Sequence, residues 1–287
     1  MTAPVIADAL GPRGRRRAAI ASVAAAVVLA AIAWVALDRL ADNGQLDGAK
    51  WEPLTEWLVW KYLLLGLVET LKAAGAAMVL ALVSGSVLAL ARLSRLLPVR
   101  IIAGAWVEFF RGFPLLVLLL FAVYGLRAQG IDISTYHALV LALTIYNGAV
   151  LAEVLRAGIL SLDRGQREAA VSVGLTDGQA MRLVVLPQAV RRMLPAIVNQ
   201  LVTLLKDTSL GFFILYDELL RRGQLSGQYD RNLLQSLVAV AALYIAVNFV
   251  LSQVARRLEL RQRRRIGARP IAVTGVESAV AVKPGTG

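Results

Sequence analysis

The sequence contains no cysteine and a single histidine, His137. No disulfide framework or thiolate metal site is therefore open to it, and no second imidazole exists to complete a common metal site. It also lacks a G-x-x-x-x-G-K-[ST] phosphate loop, an H-E-x-x-H pair and a G-x-S-x-G elbow. The usual ATP cradle and the familiar hydrolase centres are thus absent, which predicts a non-catalytic chain that binds no cofactor of its own. Charge is scarce too, at 17% of residues, whereas 58% are hydrophobic. Over 287 residues that balance is too apolar for a soluble domain and fits a polytopic membrane protein. The net charge of +12 comes from arginines and lysines clustered beside hydrophobic runs. There they set orientation and meet anionic headgroups, a different pattern from a nucleic-acid-binding face.

Residues 1–17 are polar, with Arg13, Arg15, Arg16 and Arg17 ahead of an uncharged run over residues 18–37. That run is nearer a full span than a cleavable signal, and Asp38 follows without a small-residue cleavage site, so an anchor that stays is expected. Residues 38–63 form an extracytoplasmic segment whose Trp51, Trp57 and Trp60 suit an interfacial belt. Five more spans are expected over residues 64–92, 101–126, 134–155, 193–215 and 232–255, making six helices, with Pro114 kinking or breaking the third. Residues 216–231 read as an outside loop, and residues 256–287 as a basic tail, disordered past Ile266. Six spans put both termini on one side. The segments then placed inside carry 21 Lys/Arg against 8 outside, which predicts cytoplasmic termini.

One polar island interrupts the apolar runs. In it Glu168-Ala169-Ala170 is followed after three residues by Gly174, and after nine more by Val184, Leu186 and Pro187. Physically, residues 166–173 make two helical turns and Gly174 ends them in a conformation that costs a side-chained residue more. Thr176 or Asp177 then caps a second helix through Leu186, and Pro187 closes the unit. The spacing resembles the EAA loop of ABC importer permeases, with Val184 where isoleucine is commoner. Three further stretches resemble the polar amino-acid uptake branch of that family: Ala152-Glu153-Val154-Leu155-Arg156-Ala157-Gly158-Ile159, Leu205-Lys206-Asp207-Thr208-Ser209, and Glu108-Phe109-Phe110-Arg111-Gly112-Phe113-Pro114. In the last, the branch more often has threonine at Phe113. The likeness covers residues 64–255 and is nearest to actinobacterial glutamate permease subunits.

This resemblance implies an all-α transmembrane fold, a five-helix importer core plus one N-terminal helix, with a cytoplasmic coupling-helix loop. It implies ATPase contact through Glu168, Ala169, Ala170, Gly174 and Leu175. ATP and Mg belong to that separate ATPase. A second permease subunit, identical or homologous, and an extracytoplasmic amino-acid-binding protein complete the expected set, with membrane lipid around it. Import of a polar amino acid, glutamate first, is the expected function. From the residues themselves, a charge in mid-membrane costs roughly 2.5–3.5 kcal/mol, so Lys206, Asp207 and Thr208 are expected to face the translocation pathway. Glu108 and Arg111 are expected there as well. Glu153 and Arg156, three apart on one helical face, are expected to pair as a gate or a structural contact. An ion-coupled secondary transporter would use the same buried charges, usually with internal repeats, and a scaffold would have no need of Lys206 and Asp207.

Overall fold

The computed structural model describes residues 11–267. Among them the regular structure is entirely helical: α1 (Pro12–Asp42), α2 (Gly48–Trp51), α3 (Trp57–Arg92), α4 (Leu97–Gly112), α5 (Leu115–Leu120), α6 (Leu126–Ala128), α7 (Thr135–Leu160), α8 (Arg164–Ser172), α9 (Asp177–Ala180), α10 (Leu186–Asp207), α11 (Leu219–Tyr229) and α12 (Leu233–Gly267). Two compact units divide the chain, one of residues 11–62 with 223–239, the other of residues 63–222 with 240–267. The first ten residues and those beyond Gly267, including most of the expected tail, lie outside the described residues.

In the first unit, the membrane-length window of α1 buries none of its surface, as an apolar helix meant for lipid would. The segment that follows is held by side-chain hydrogen bonds to backbone carbonyls: Asn232 Nδ2 donates to Lys50 O at 3.0 Å and Gln235 Nε2 to Gln45 O at 2.5 Å. Trp60 Nε1 donates to Leu54 O at 2.7 Å, fixing one of the three expected belt tryptophans.

The second unit is built on α3 and α7. Along α3, Ala73, Ala77, Ala81, Gly85 and Ala89 recur every fourth residue and are all buried. Lipid tails are as apolar as leucine, so helices associate in a membrane by close packing, and a stripe of small residues permits that approach. Gly75 and Ser86 point outward instead. The central core adds Met78, Leu119, Leu139, Leu143, Leu204 and Tyr216. A second cluster gathers Ala89 of α3, Val107 of α4, Leu155 and Ile159 of α7, and Val185, Ala189 and Met193 around the start of α10. Here α7 and α10 cross so tightly that a Cβ on Gly158 would lie 1.9 Å from Met193 Sδ.

Among the described residues four single helices are long and apolar enough to cross a membrane, and the bent pair α4 and Leu115–Ala128 makes a fifth, against six expected. The pair turns through 102° at Phe113 and Pro114, where proline removes a backbone donor. The shortfall falls on the expected span 193–215. The helix there starts earlier, at Leu186, carries Arg191, Arg192, Asn199, Gln200, Lys206 and Asp207, and gives way at Thr208 to a 3₁₀ segment ending at Ile214. Nor is 216–231 a simple loop. It contains α11, whose N-terminus is capped by a fully buried Glu218 that accepts from Leu220 N at 2.9 Å, Arg221 N at 2.8 Å and Tyr244 Oη at 2.8 Å. Burial pushes the Glu218 carboxyl up, and those donors pull it part of the way back.

Candidate functional site

The polar island folds as a helical hairpin between α7 and α10. Asp163 caps α8 by accepting from Gly165 N at 2.9 Å. The helix ends in a Schellman arrangement, with Gly174 N donating to Val171 O at 2.9 Å and Leu175 N to Ala170 O at 3.2 Å. That geometry needs a left-handed residue at its hinge, and Gly174 supplies φ +89°. Thr176 then starts α9 through a full capping box with Gln179. Pro187 does not close the unit. A π-helical turn over Met181–Val185 runs without a break into α10, placing Pro187 in the first turn, where its missing N–H is tolerated. Two cross-links close the hairpin, Gln188 Nε2 to Gln166 Oε1 at 3.2 Å and Arg192 Nη1 to Ser161 O at 2.7 Å.

Of the five expected coupling residues, Glu168, Ala169 and Gly174 are exposed and Leu175 is half-buried. Ala170 is 5% exposed, so within this chain its side chain faces inward. Val173, which the motif spacing does not single out, is 79% exposed at the tip. Beside the hairpin opens a cavity of about 1070 Å³, lined among others by Leu93, Leu162, Glu168, Asp177 and Met181. Asp177 does not cap α9. Its carboxylate takes Arg167 Nη2 at 2.8 Å on one oxygen and Arg95 on the other. These two guanidiniums, Arg167 foremost, hold it below the usual carboxylate range, so both bridges persist at neutral pH and are lost only on strong acidification.

Glu153 and Arg156 meet, at 2.8 Å from Arg156 Nη2 to Glu153 Oε1, within a larger cluster. Glu153 also binds Arg92, and Arg111 lies 3.6 Å from Glu153 and 3.7 Å from Glu108. Arg92 reaches Glu108 at 3.4 Å. Three arginines and two glutamates from α3, α4 and α7 thus share one site with Glu153 at its hub. Arg92 was not among the expected site residues, because its partners are 16 and 61 positions away and leave no local spacing to read.

The Lys206-Asp207-Thr208 stretch is split by the structure. Lys206 is exposed and Asp207 half-buried, but Thr208 is fully buried with its hydroxyl donated to Leu205 O at 2.6 Å. Lys206 opens onto a cleft of about 610 Å³ shared with Ser209, Tyr244, Asn248 and Ser252. Asn248 Oδ1 is buried there without a hydrogen-bond partner. Among the described residues no group of three His, Asp or Glu side chains has metal-binding geometry, and His137 bonds to the α7 cap, Ser134 Oγ, at 2.7 Å.

Membrane-length helices packed on a small-residue stripe, with a capped polar hairpin following one of them, α7, define a multi-pass membrane protein. The chain belongs to the family described as binding-protein-dependent transport system inner membrane component, which its residues 77–264 match. It is 43% identical over 228 residues to the glutamate transport system permease protein GluD of Corynebacterium glutamicum, covering 78% of this chain and 84% of that one. It is 40% identical to the probable glutamine ABC transporter permease protein GlnP of Bacillus subtilis, covering 69% of this chain and 92% of the relative. Among solved structures, a crystal structure of an amino acid ABC transporter with histidines superposes with a TM-score of 0.69 at 33% identity, over 72% of this chain and 97% of that one. The fold is that of ABC importer permeases.

Proposed function

We propose that this chain is the permease subunit of an ABC importer for a polar amino acid, with glutamate the first expected substrate. The observation that carries the reading is 43% identity to a glutamate permease over most of both chains. A separate ATPase, with its ATP and Mg, docks on the α8–α9 hairpin through Glu168, Ala169, Val173 and Gly174. The adjoining cavity leaves room for inserted side chains. A second permease subunit, identical or homologous, and an extracytoplasmic binding protein complete the importer. Both termini lie in the cytoplasm, on the hairpin's side, in keeping with the excess of Lys/Arg there. Ion-coupled secondary transport has no support in the family match. Reconstitution of the chain with its ATPase and binding protein tests the whole: labelled glutamate should accumulate only with ATP, and competition by unlabelled glutamate should exceed that by glutamine. Accumulation driven by a proton or sodium gradient without ATP would overturn it.

Lys206 and Asp207 are proposed to meet the carboxylate and ammonium of the passing substrate, Thr208 serving only to hold their backbone. A charged contact to substrate is worth about 1.5–3 kcal/mol. The double variant Lys206→Met with Asp207→Asn should accordingly lower uptake about tenfold with assembly intact, as read by labelled uptake beside co-purification. Uptake at the native rate would remove both residues from the pathway.

A further inference from the structure

We infer that the short α3–α4 turn is a positioning strap that ties the hairpin to the break between α4 and α5. The inference builds on the reading of that hairpin as the ATPase dock. Three side chains carry it, Arg92 at the end of α3 and Leu93 and Arg95 in the turn. Arg95 binds Asp177, whose other oxygen is held by Arg167 of α8. Leu93 packs on the inner core cluster and lines the cavity beside the hairpin. Arg92, with its side chain only 13% exposed, binds Glu153 of α7 and reaches Glu108 of α4.

Between Arg92 and α4 there is little slack. The turn is four residues, Ser94 Oγ accepts from Leu96 N at 3.1 Å inside it, and Pro98, the second residue of α4, has a fixed φ. At its other end α4 presents Arg111 to the same two glutamates, next to Gly112 where the helix stops. The Arg95–Asp177 bridge and the cluster of Arg92, Arg111 and the two glutamates, joined by the four-residue turn, therefore link the hairpin to the 102° bend. The hairpin touches α7 and α10 by chain connection. The strap adds α3 and α4, the elements that hold the bend, to whatever moves with it.

The absence of native cysteine makes a direct test clean. Phe113 at the bend is half-buried between Phe109 and Phe121, at ring distances of 5.4 and 6.4 Å, so Phe113→Cys reports its opening to a thiol reagent. In the purified chain, Arg95→Gln should raise the labelling rate about threefold, the scale of one exposed ion pair, and Arg95→Lys should restore it. Because the Arg95 and Asp177 side chains are 82% and 50% exposed, 1 M salt should bring the native rate up to that of the glutamine variant. In the reconstituted importer, Arg95→Gln should keep ATPase co-isolation and raise the ATP spent per substrate. A labelling rate indifferent to Arg95→Gln, or a difference that survives high salt, overturns the strap. Failure of the unsubstituted chain to co-isolate with an ATPase would count against the dock alone, leaving the labelling rates to decide the strap.

Discussion

Glu153→Leu should lower the melting temperature by about 6–12 °C and cut the recovered yield several-fold. The reasoning is a charge count. Glu153 receives Arg92, Arg111 and Arg156, and without it three guanidiniums share only Glu108, whose side chain is 65% exposed and screened by solvent. Breaking a buried ion pair by removing one partner costs about 3–5 kcal/mol, and a hub that is one-quarter exposed belongs near the low end. Against a total stability of about 5–15 kcal/mol that is a large fraction, and about 2–4 °C per kcal/mol converts it to the stated shift. Arg156→Gln should be mild by the same count, since two arginines still neutralise the hub. Thermal melting of the purified chain checks both, and a native melting temperature for Glu153→Leu would show that the cluster contributes nothing net.

Gly174→Asn and Gly174→Val should both abolish productive uptake while ATP hydrolysis continues, and only the valine should also lower stability. The structure separates two reasons for glycine at this position. Its φ of +89° belongs to the left-handed region, which costs a side-chained residue about 1–2 kcal/mol, more for a β-branched one and less for asparagine. A Cβ built there meets nothing within 4 Å, so no clash inside the chain forbids a larger residue. What remains is the proposed docking face, where an added side chain would overpack the interface by about 1–3 kcal/mol, or up to about a hundredfold in affinity. Uptake, ATP hydrolysis and melting measured on the same preparations distinguish these terms. An asparagine variant that transports and hydrolyses normally would show that Gly174 serves the turn only, and the dock would have to be placed elsewhere.

Local features were readable from residue order alone. The end of α8 at Gly174, a cap at Thr176 or Asp177 and the interruption at Pro114 each depend on residues within a few positions of one another, so composition and spacing suffice, and the structure gives the cap to Thr176. Tertiary features were not. Nothing near Arg92 announces Glu153, and nothing near Ala170 says which side of α8 turns inward. Pro187 misled because a proline ordinarily ends a helix, whereas a π turn just before it leaves its ring and missing donor in a first turn. The expected span 193–215 took in Lys206 and Asp207, but apolarity gave no sign of the earlier helix start at Leu186 or of the change of winding at Thr208. Thr208, chosen for its hydroxyl, spends that hydroxyl on its own helix, as threonine commonly does at depth in a bundle.

The contact of Gly158 with Met193 is one end of a long seam. From Asp177 to Asp207 the backbone stays helical, and α10 rests on α7 again at Gln200, whose Nε2 donates to Asn147 Oδ1 at 2.6 Å, and at Leu204 in the central core. Pro195, inside α10, removes one backbone donor from the stretch between these contacts. Any side chain added at Gly158 would therefore have to pry the seam open at the end nearer the hairpin.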